Sequence, residues 1–530
     1  MRAGSVGATP QTPASPGPTR RRYSAWLGAL ASVALILGAT GCATLPDPYL
    51  SAPAAAQLAR ADPCLTLLHS IDAKIDAAGV RDNQAIRVDG YPYLRADRYT
   101  VRRPVPDENW RVVAQAHVDR MAALDVEARG LEMSNLGLTP AERAEVERCQ
   151  RLLTAAVSGD PAAAAAGSAK VPDDYNDNLR VLGLYPLTKI PFAGGIRSWQ
   201  ESVRDVFRTP FPELKVEGKR VRYVPGASPS PASLAGWLPP QKPVRPGAPV
   251  DALGTPLIDL PRAWKLLQQH APVLVVDTLS DDDRIGSVQW SPAPSAGLLP
   301  AIDLREHVAY VRIAWTEMDG NVVLQLVYGF WFPARTRQSV VDIEAGHIDS
   351  LMWRVTLASD GRPLAYDSIH SCGCFQMFFP TEYVRERPAP IEGEGFFDES
   401  LFVPQFLRAP APEERVAVYL AARTHTIQRV AVEAVPSPPG LVYRLVDENR
   451  LRALPLPGGS VATRSVYGPD MRVPGTERRE RWVYWPAGIE SPGQMRQWGH
   501  HPTAFVGRRH FDDPFLFDRY FTLAPRQASQ

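Results

Sequence analysis

The sequence predicts an α+β chain, with a helical N-terminal region followed by a β-rich C-terminal region that contains an antiparallel hairpin meander. Three observations predict it. Between Ser51 and Gly159 apolar residues recur at helical spacing, as in Trp110, Val113, Met121, Leu124 and Ala128. Thr139-Pro140-Ala141-Glu142 is a capping box with proline at the first helical position. From Leu257 onward alternating apolar runs are punctuated by turn signals, most legibly Asp319-Gly320 and Asp360-Gly361.

Taken in order, the chain opens with Arg20-Arg21-Arg22, the apolar run Ala25 to Leu37 and then Ala39-Thr40-Gly41-Cys42. The run has 13 residues, whereas a helix crossing a bilayer needs roughly 20. It therefore reads as the core of a cleaved signal. Small residues ahead of a cysteine resemble the bacterial lipobox, with Ala39 where that pattern usually has leucine. The resemblance implies acylation of the Cys42 thiol with diacylglycerol, palmitate among the chains, after removal of residues 1–41. The alternative is an ordinary secretory signal followed by a structural cysteine. Ala43 in place of aspartate, by similarity to the bacterial sorting pattern, favours the outer membrane. No second apolar run is long enough to span a bilayer, so the lipid on Cys42 is the expected membrane anchor, and the localisation expected is the cell envelope, facing the periplasm.

Cleavage would remove Arg2, Arg20, Arg21 and Arg22 and no acid, taking the formal charge from +1 to −3. No Lys/Arg block with interleaved aromatics is present, so nucleic acid is not an expected partner. An apolar content of 45% argues against wholesale disorder, and 52 prolines in 530 residues, about twice ordinary usage, predict many loops. The expected division is a signal over 1–41, a helical domain over 42–159, a linker and proline-rich connecting region over 160–256, and a β-rich domain over 257–530. Tyr91-Pro92-Tyr93-Leu94-Arg95 reads as an ordered connector between helices. Leu184-Tyr185-Pro186-Leu187 to Phe192-Ala193-Gly194-Gly195-Ile196 reads as an apolar loop, with a dip toward a membrane surface as the alternative.

Four cysteines remain besides Cys42. Cys64 and Cys149 fall on two helical patterns. In an oxidising periplasm they can pair, closing a loop of about 85 residues and stabilising by roughly 2–4 kcal/mol; two separate buried thiols are the alternative.

In the β-rich region a two-residue turn at Asp319-Gly320 sets Trp315 opposite Leu324, Ile313 opposite Leu326 and Val311 opposite Tyr328. A similar turn at Asp360-Gly361 sets Ser359 opposite Arg362, Leu357 opposite Leu364, Val355 opposite Tyr366 and Arg354 opposite Asp367. Extending that ladder places Asp349 opposite Cys372 and His347 opposite Cys374, with His370 on the same face. His347, Asp349, His370, Cys372 and Cys374 are then five potential ligands on one side. Thiolates with imidazole and carboxylate suit zinc, and soft sulfur also suits copper(I). The competing readings are an oxidised Cys372–Cys374 pair, two buried thiols, an ordinary His–Asp hydrogen bond, or a thiol-exchange role with His370 supplying positive charge.

A second polar cluster lies in Gly499-His500-His501-Pro502 and Arg508-Arg509-His510-Phe511-Asp512-Asp513. It reads as a polar loop before a packed tail, or as part of a metal or hydrolytic site if it folds back over the sheet. His117 reads as a core or surface residue, and Asp281-Asp282-Asp283 as a solvated turn. No Gly-x-Ser-x-Gly, phosphate-binding loop, dinucleotide fingerprint or His-Glu-x-x-His is present.

At Tyr91-Pro92-Tyr93-Leu94-Arg95, Leu184-Tyr185-Pro186-Leu187 and Tyr366-Asp367-Ser368-Ile369-His370-Ser371-Cys372-Gly373-Cys374 the chain resembles a group of proteobacterial lipoproteins with no established function. The resemblance covers most of the mature length and implies an envelope location without implying an activity. Two functions are therefore expected to compete. One is a binding or structural protein with the Cys-x-Cys hairpin as structural element; the other is a metal-dependent hydrolase of envelope material.

Overall fold

The N-terminal helices form where apolar side chains recur every three to four residues. α1 (Pro63–Ala78) buries Leu65, Leu68, Ile71 and Ile75 along one face. The computed structural model describes residues 63–101, 110–158, 171–229, 238, 242–245, 247–293, 297–387, 399–435, 438–458 and 461–525; Cys42 and the signal segment lie outside them. β1 (Ile86–Val88) and β2 (Tyr91–Ala96) pair as a short hairpin, so the Tyr91–Arg95 connector is a strand. α2 (Trp110–Leu136) and α3 (Pro140–Ala156) close the helical layer, and Thr139 and Glu142 form the reciprocal capping box at the start of α3. Cys64 of α1 and Cys149 of α3 are joined by a disulfide. His117 is buried on α2, with Nε2 3.1 Å from the Thr100 carbonyl.

Charge is buried in this layer, and each charge has a partner. Arg95 and Arg129 are fully buried. Arg95 Nη2 lies 2.6 Å from Glu132 and its Nε 3.0 Å from Asp125, while Arg129 Nη1 lies 2.7 Å from Asp72. Arg452, far along the chain, reaches Asp82 at 2.7 Å and so fastens the helical layer to the β-rich part.

The stretch 160–256, expected as linker and connecting region, contributes helices and a sheet strand. α4 (Asp177–Leu182) is capped by the Asn176 side chain, which accepts from the amides of Asn178 and Leu179. α5 (Tyr185–Arg208) starts with Pro186 in its first turn, where a missing N–H costs nothing, and buries Val203 and Phe207. The apolar loop expected at Leu184–Ile196 is thus the first half of a long helix. β3 (Lys219–Pro225) enters the main sheet and buries Tyr223 completely.

After α6 (Leu260–His270) come β4 (Val273–Thr278), the hairpin β5 (Ser287–Ala293) and β6 (Gly297–Asp303), then β7 (Val308–Met318), β8 (Asn321–Arg335), β9 (Gly346–Leu357), β10 (Pro363–His370) and β11 (Met377–Pro380). A short β12 (Val384–Glu386) pairs with Phe521–Leu523, and β13 (Glu414–Leu420), β14 (Ile427–Ala434) and β15 (Leu441–Asp447) follow. The main sheet has ten strands in the order β11-β10-β9-β8-β7-β15-β3-β4-β13-β14. β7 to β11 form an antiparallel meander, whereas β15 lies parallel to both β7 and β3, and β13 parallel to β4. Trp353, Tyr328, Phe330, Phe332 and Tyr443 form the centre of the core.

The register around Asp319-Gly320 is Trp315 to Leu324, Ile313 to Leu326 and Val311 to Tyr328, and both turn residues have positive φ (49° and 71°), the signature of a type I′ turn. At Asp360-Gly361 the expectation needs correction. Only Gly361 is left-handed (φ 90°), the Ala358 amide bonds the Arg362 carbonyl, and Leu357 pairs with Pro363. The loop therefore has three residues, and a bulge at Leu364 restores Val355 opposite Tyr366 and Arg354 opposite Asp367. That last pair is a buried ion pair at 2.6 Å.

Candidate functional site

The five-residue face expected from β9 and β10 is not assembled, for two backbone reasons. The β9–β10 ladder ends at Leu351 and His370. Beyond it the chain turns sharply: the Gly373 amide bonds the His370 carbonyl at 2.8 Å, and the His370 amide bonds the Cys374 carbonyl at 3.0 Å. Gly373 has φ 95°, and a Cβ there would sit 2.1 Å from the Pro502 carbonyl oxygen, so no other residue fits. Cys372 and Cys374 consequently lie on a tight turn between β10 and β11 and not opposite β9. On β9 itself Ile348 has φ 53°, which breaks the pleat between His347 and Asp349. His347 is turned outward with Nε2 2.8 Å from the Pro300 carbonyl, whereas Asp349 is buried.

The structure does bring Asp349 and His370 together, and adds partners from distant segments. Asp349 Oδ1 lies 3.3 Å from His370 Nδ1, and its Oδ2 accepts from His425 Nδ1 at 2.8 Å. His425 Nε2 lies 3.4 Å from Asp283, an ion-pair distance without hydrogen-bond geometry. Arg478 Nη2 lies 3.4 Å from Asp349 and 2.7 Å from the Ile348 carbonyl. Burial pushes the Asp349 carboxyl up, but His370 and His425 outweigh it and hold it well below the usual carboxylate range. Burial pulls His425 down, and Asp283 with Asp349 raises it above the ordinary imidazole value. For His370 burial wins and the ring is held below that value. The row therefore reads Asp283⁻, His425⁺, Asp349⁻ and neutral His370, closed by stacking of His425 on Phe332 at 3.9 Å between ring centres.

The thiols sit beside this row and pair with each other. The Cys374 amide approaches Cys372 Sγ at 3.4 Å, and both cysteines are free. Contact with Cys372, then burial, pushes the Cys374 thiol well above its ordinary value, so it is held protonated. Among the described residues no group of three or more His, Cys, Asp or Glu side chains is placed to hold a metal ion.

Cys372 and Cys374 instead form part of the wall of a cavity of about 360 Å³. α5 supplies Phe192, Ile196 and Trp199, the cysteine turn supplies Phe375, and α7 (Arg481–Tyr484) supplies Val483 and Tyr484. Phe505 comes from the C-terminal segment. Trp199 meets Phe375 at 5.6 Å and Phe192 meets Tyr484 at 5.6 Å between ring centres. Glu344, Glu399 and Glu480 are the carboxyl groups on the lining. Glu480 is 5% exposed. Burial, then the like charge of Glu344, raises its carboxyl to about 8. Two other hollows are larger, about 470 Å³ beside Asp360-Gly361 and about 790 Å³ between α2 and α3, but neither is lined by a thiol or a fully buried acid.

The His500–His510 cluster is a brace. His500 Nδ1 lies 2.9 Å from Asp174 and its Nε2 2.9 Å from the Asn83 carbonyl, while Arg98 pairs with Asp512 at 3.1 Å. His501 is buried with neither ring nitrogen bonded, and burial drives it down to about 3, so it stays neutral. Asp281 to Asp283, expected as a solvated turn, is a single 3₁₀ turn whose last member, Asp283, is fully buried. Its signal was present, since Ser280 and Asp283 make a capping box. His425, Arg478 and Glu480 carried no local signal.

No known family model matches the chain, and neither a curated protein nor a solved structure matches it. No described helix is long and apolar enough to cross a membrane.

Proposed function

We propose that the chain is a lipid-anchored envelope protein, held at the outer membrane through acylated Cys42 and facing the periplasm, that binds a ligand in the cavity at the Cys372–Cys374 turn. The observation that carries the binding reading is the cavity itself. Its volume of about 360 Å³ falls within the usual range for small-molecule sites, and its walls are mainly apolar and aromatic with a few polar groups converging on it.

The envelope reading rests on the signal ending in Cys42, and an exposed apolar stripe is consistent with it. Leu187 and Ile190 on α5 are 65% and 52% exposed, and Trp482 on α7 is 71% exposed. Leu187, Ile190, Pro191 and Gly194 follow helical spacing, so α5 turns an apolar stripe outward while Pro191 also lines the cavity.

The test is binding of the neutral fluorophore N-phenyl-1-naphthylamine to the soluble form that starts after Cys42, with Gly195→Trp as the control. Gly195 lines the cavity and a Cβ there meets nothing within 4 Å, so the indole fills space without breaking the helix. Saturable binding that weakens at least tenfold in Gly195→Trp, at an unchanged melting temperature, is expected. Wild-type protein with no saturable binding would overturn the reading. For the anchor, Cys42→Ser is expected to lose incorporation of labelled palmitate and to leave the membrane fraction.

A further inference from the structure

The cavity lining carries three carboxyl groups, Glu344, Glu399 and Glu480, and no lysine, arginine or histidine among the described residues. Two of the three are answered from behind the wall. Glu344 is paired with Arg335, and Glu399 Oε1 lies 3.0 Å from Arg509 Nη2. Glu480 differs: it is 95% buried, and no described residue donates a hydrogen bond to its carboxylate, although its backbone amide bonds the Ile343 carbonyl. A Cβ on Gly493 would fall 1.9 Å from Glu480 Oε1, so the carboxyl packs against a glycine that its own φ of 83° already requires.

The groups acting on Glu480 come from several elements. Glu344 and Asp349 oppose its ionisation, while Arg478 and Arg335 favour it. Cys374 and Tyr484 also sense its charge. The two cations are already engaged. Arg478 bonds the Ile348 carbonyl and approaches Asp349, and Arg335 bonds the Thr424 carbonyl and pairs with Glu344. Glu399, on the same lining, is also raised by burial and pairs with Arg509, and the buried Arg496 senses the two thiols. Glu480 alone of the three carboxylates accepts no hydrogen bond from a described residue, in a pocket whose lining includes the aromatic rings of Phe192, Trp199, Phe375, Tyr484 and Phe505. Aromatic faces and an unanswered carboxylate are the two elements that recognise an organic cation.

We propose that the cavity selects a cation carried on an apolar body, an amine or quaternary ammonium with a hydrocarbon or aromatic tail, and that Glu480 is the carboxylate that pairs with it. This deepens the binding reading and rests on it. Because the resting acid is neutral near pH 7, its carboxyl being raised to about 8, binding a cation expels the Glu480 proton to solvent. The cation's affinity therefore rises by about tenfold per pH unit below pH 8 and levels off above it. A neutral hydrogen-bond acceptor would show the opposite trend, binding the protonated acid and weakening above pH 8.

The experiment compares 4-phenylbutylammonium, 4-phenylbutanol and 4-phenylbutyrate by titration calorimetry on the soluble form, at pH 6 to 9 and in buffers of different ionisation heat. The expected result is the amine binding at least tenfold more tightly than the alcohol at pH 8, no measurable binding of the butyrate, and release of close to one proton per amine at pH 7. Glu480→Gln is expected to abolish both the amine preference and the proton release while keeping alcohol binding. If that variant does not fold, the buffer dependence of the wild type decides alone. Alcohol bound as tightly as amine, or amine bound without proton release, overturns the proposal. If none of the three binds while N-phenyl-1-naphthylamine does, the cation proposal fails and the binding reading stands; if none of the four binds, both fail.

Discussion

Glu480 offers the sharpest test of the charge arrangement, because a buried acid that keeps its proton to about pH 8 must cost stability once the unfolded chain ionises it. The carboxyl has an ordinary value of 4.5 when exposed and about 8 in the fold. Between those two pH values the native state holds a proton that the unfolded state has lost, so stability falls as pH rises through the window. At about 1.36 kcal/mol per unit, the full span of 4.5 to about 8 corresponds to an upper figure of about 5 kcal/mol lost by pH 8. Replacing the acid with glutamine removes the titration and keeps the shape.

The prediction is therefore a difference between two stability curves. In urea denaturation of the soluble form, Glu480→Gln should match the wild type within about 1 kcal/mol at pH 5. It should become more stable by at least about 2 kcal/mol at pH 8, with the gap opening at no more than about 1.4 kcal/mol per pH unit. All other titrating groups cancel in the difference. A gap that stays constant across pH 5 to 9 would refute the reasoning, since a constant offset reports packing and not a displaced proton. A gap of the opposite sign would mean that an internal cation already holds Glu480 ionised, and the cation proposal would fall with it.

Two further predictions concern what holds the fold together away from Glu480. Closing 85 residues between Cys64 and Cys149 gives about 4.6 kcal/mol by chain entropy, so the double Cys→Ala variant should lose about 2–5 kcal/mol in urea denaturation, and a loss below about 1 kcal/mol would mean that α1 and α3 are held by packing alone. Asp349→Asn leaves His425⁺ facing only Asp283 and should cost about 3–5 kcal/mol at pH 7. Because Asp349 is held below its ordinary value, that contribution is present above pH 4 and is lost as pH falls through its folded value, so the penalty should shrink on acidification; a penalty that is unchanged at pH 3 would contradict the charge assignment.

What could be read from the sequence was whatever is set by neighbours in sequence. The Asp319-Gly320 turn fixed Trp315 against Leu324, because two left-handed residues leave one pairing open. The Thr139–Glu142 box marked the start of α3 for the same reason. Asp360-Gly361 misled by one residue, since only its glycine adopts the left-handed conformation and the extra loop residue is repaid by a bulge at Leu364. α5 was hidden by Pro186, Pro191, Gly194 and Gly195, which argue locally for a loop; a 24-residue helix survives them because Val203 and Phe207 pack it onto the rest of the fold. The cavity was least legible. Cys372 and Cys374 were expected as strand positions opposite β9 and lie instead on a turn, and the carboxyl groups of the cavity, Glu344, Glu399 and Glu480, come together only through tertiary packing.

Three of the strained residues lie in the Asp349 row and on the cysteine turn beside it. Ile348, Phe375 and His425 all have positive φ (53°, 61° and 52°), conformations that a β-branched or bulky residue rarely adopts and that cost of order 1–3 kcal/mol each. One breaks β9 next to Asp349, one ends the cysteine turn on the cavity wall, and one presents its ring to Asp349. Glu480 adds a buried acid whose carboxyl is raised to about 8. A chain selected only to be stable would replace Glu480 with a glutamine or a leucine at little structural cost. A strained Phe375 on the wall of an apolar hollow, beside a buried acid with a displaced proton, is the pattern that the proposed binding role requires, and the Glu480→Gln comparison tests it.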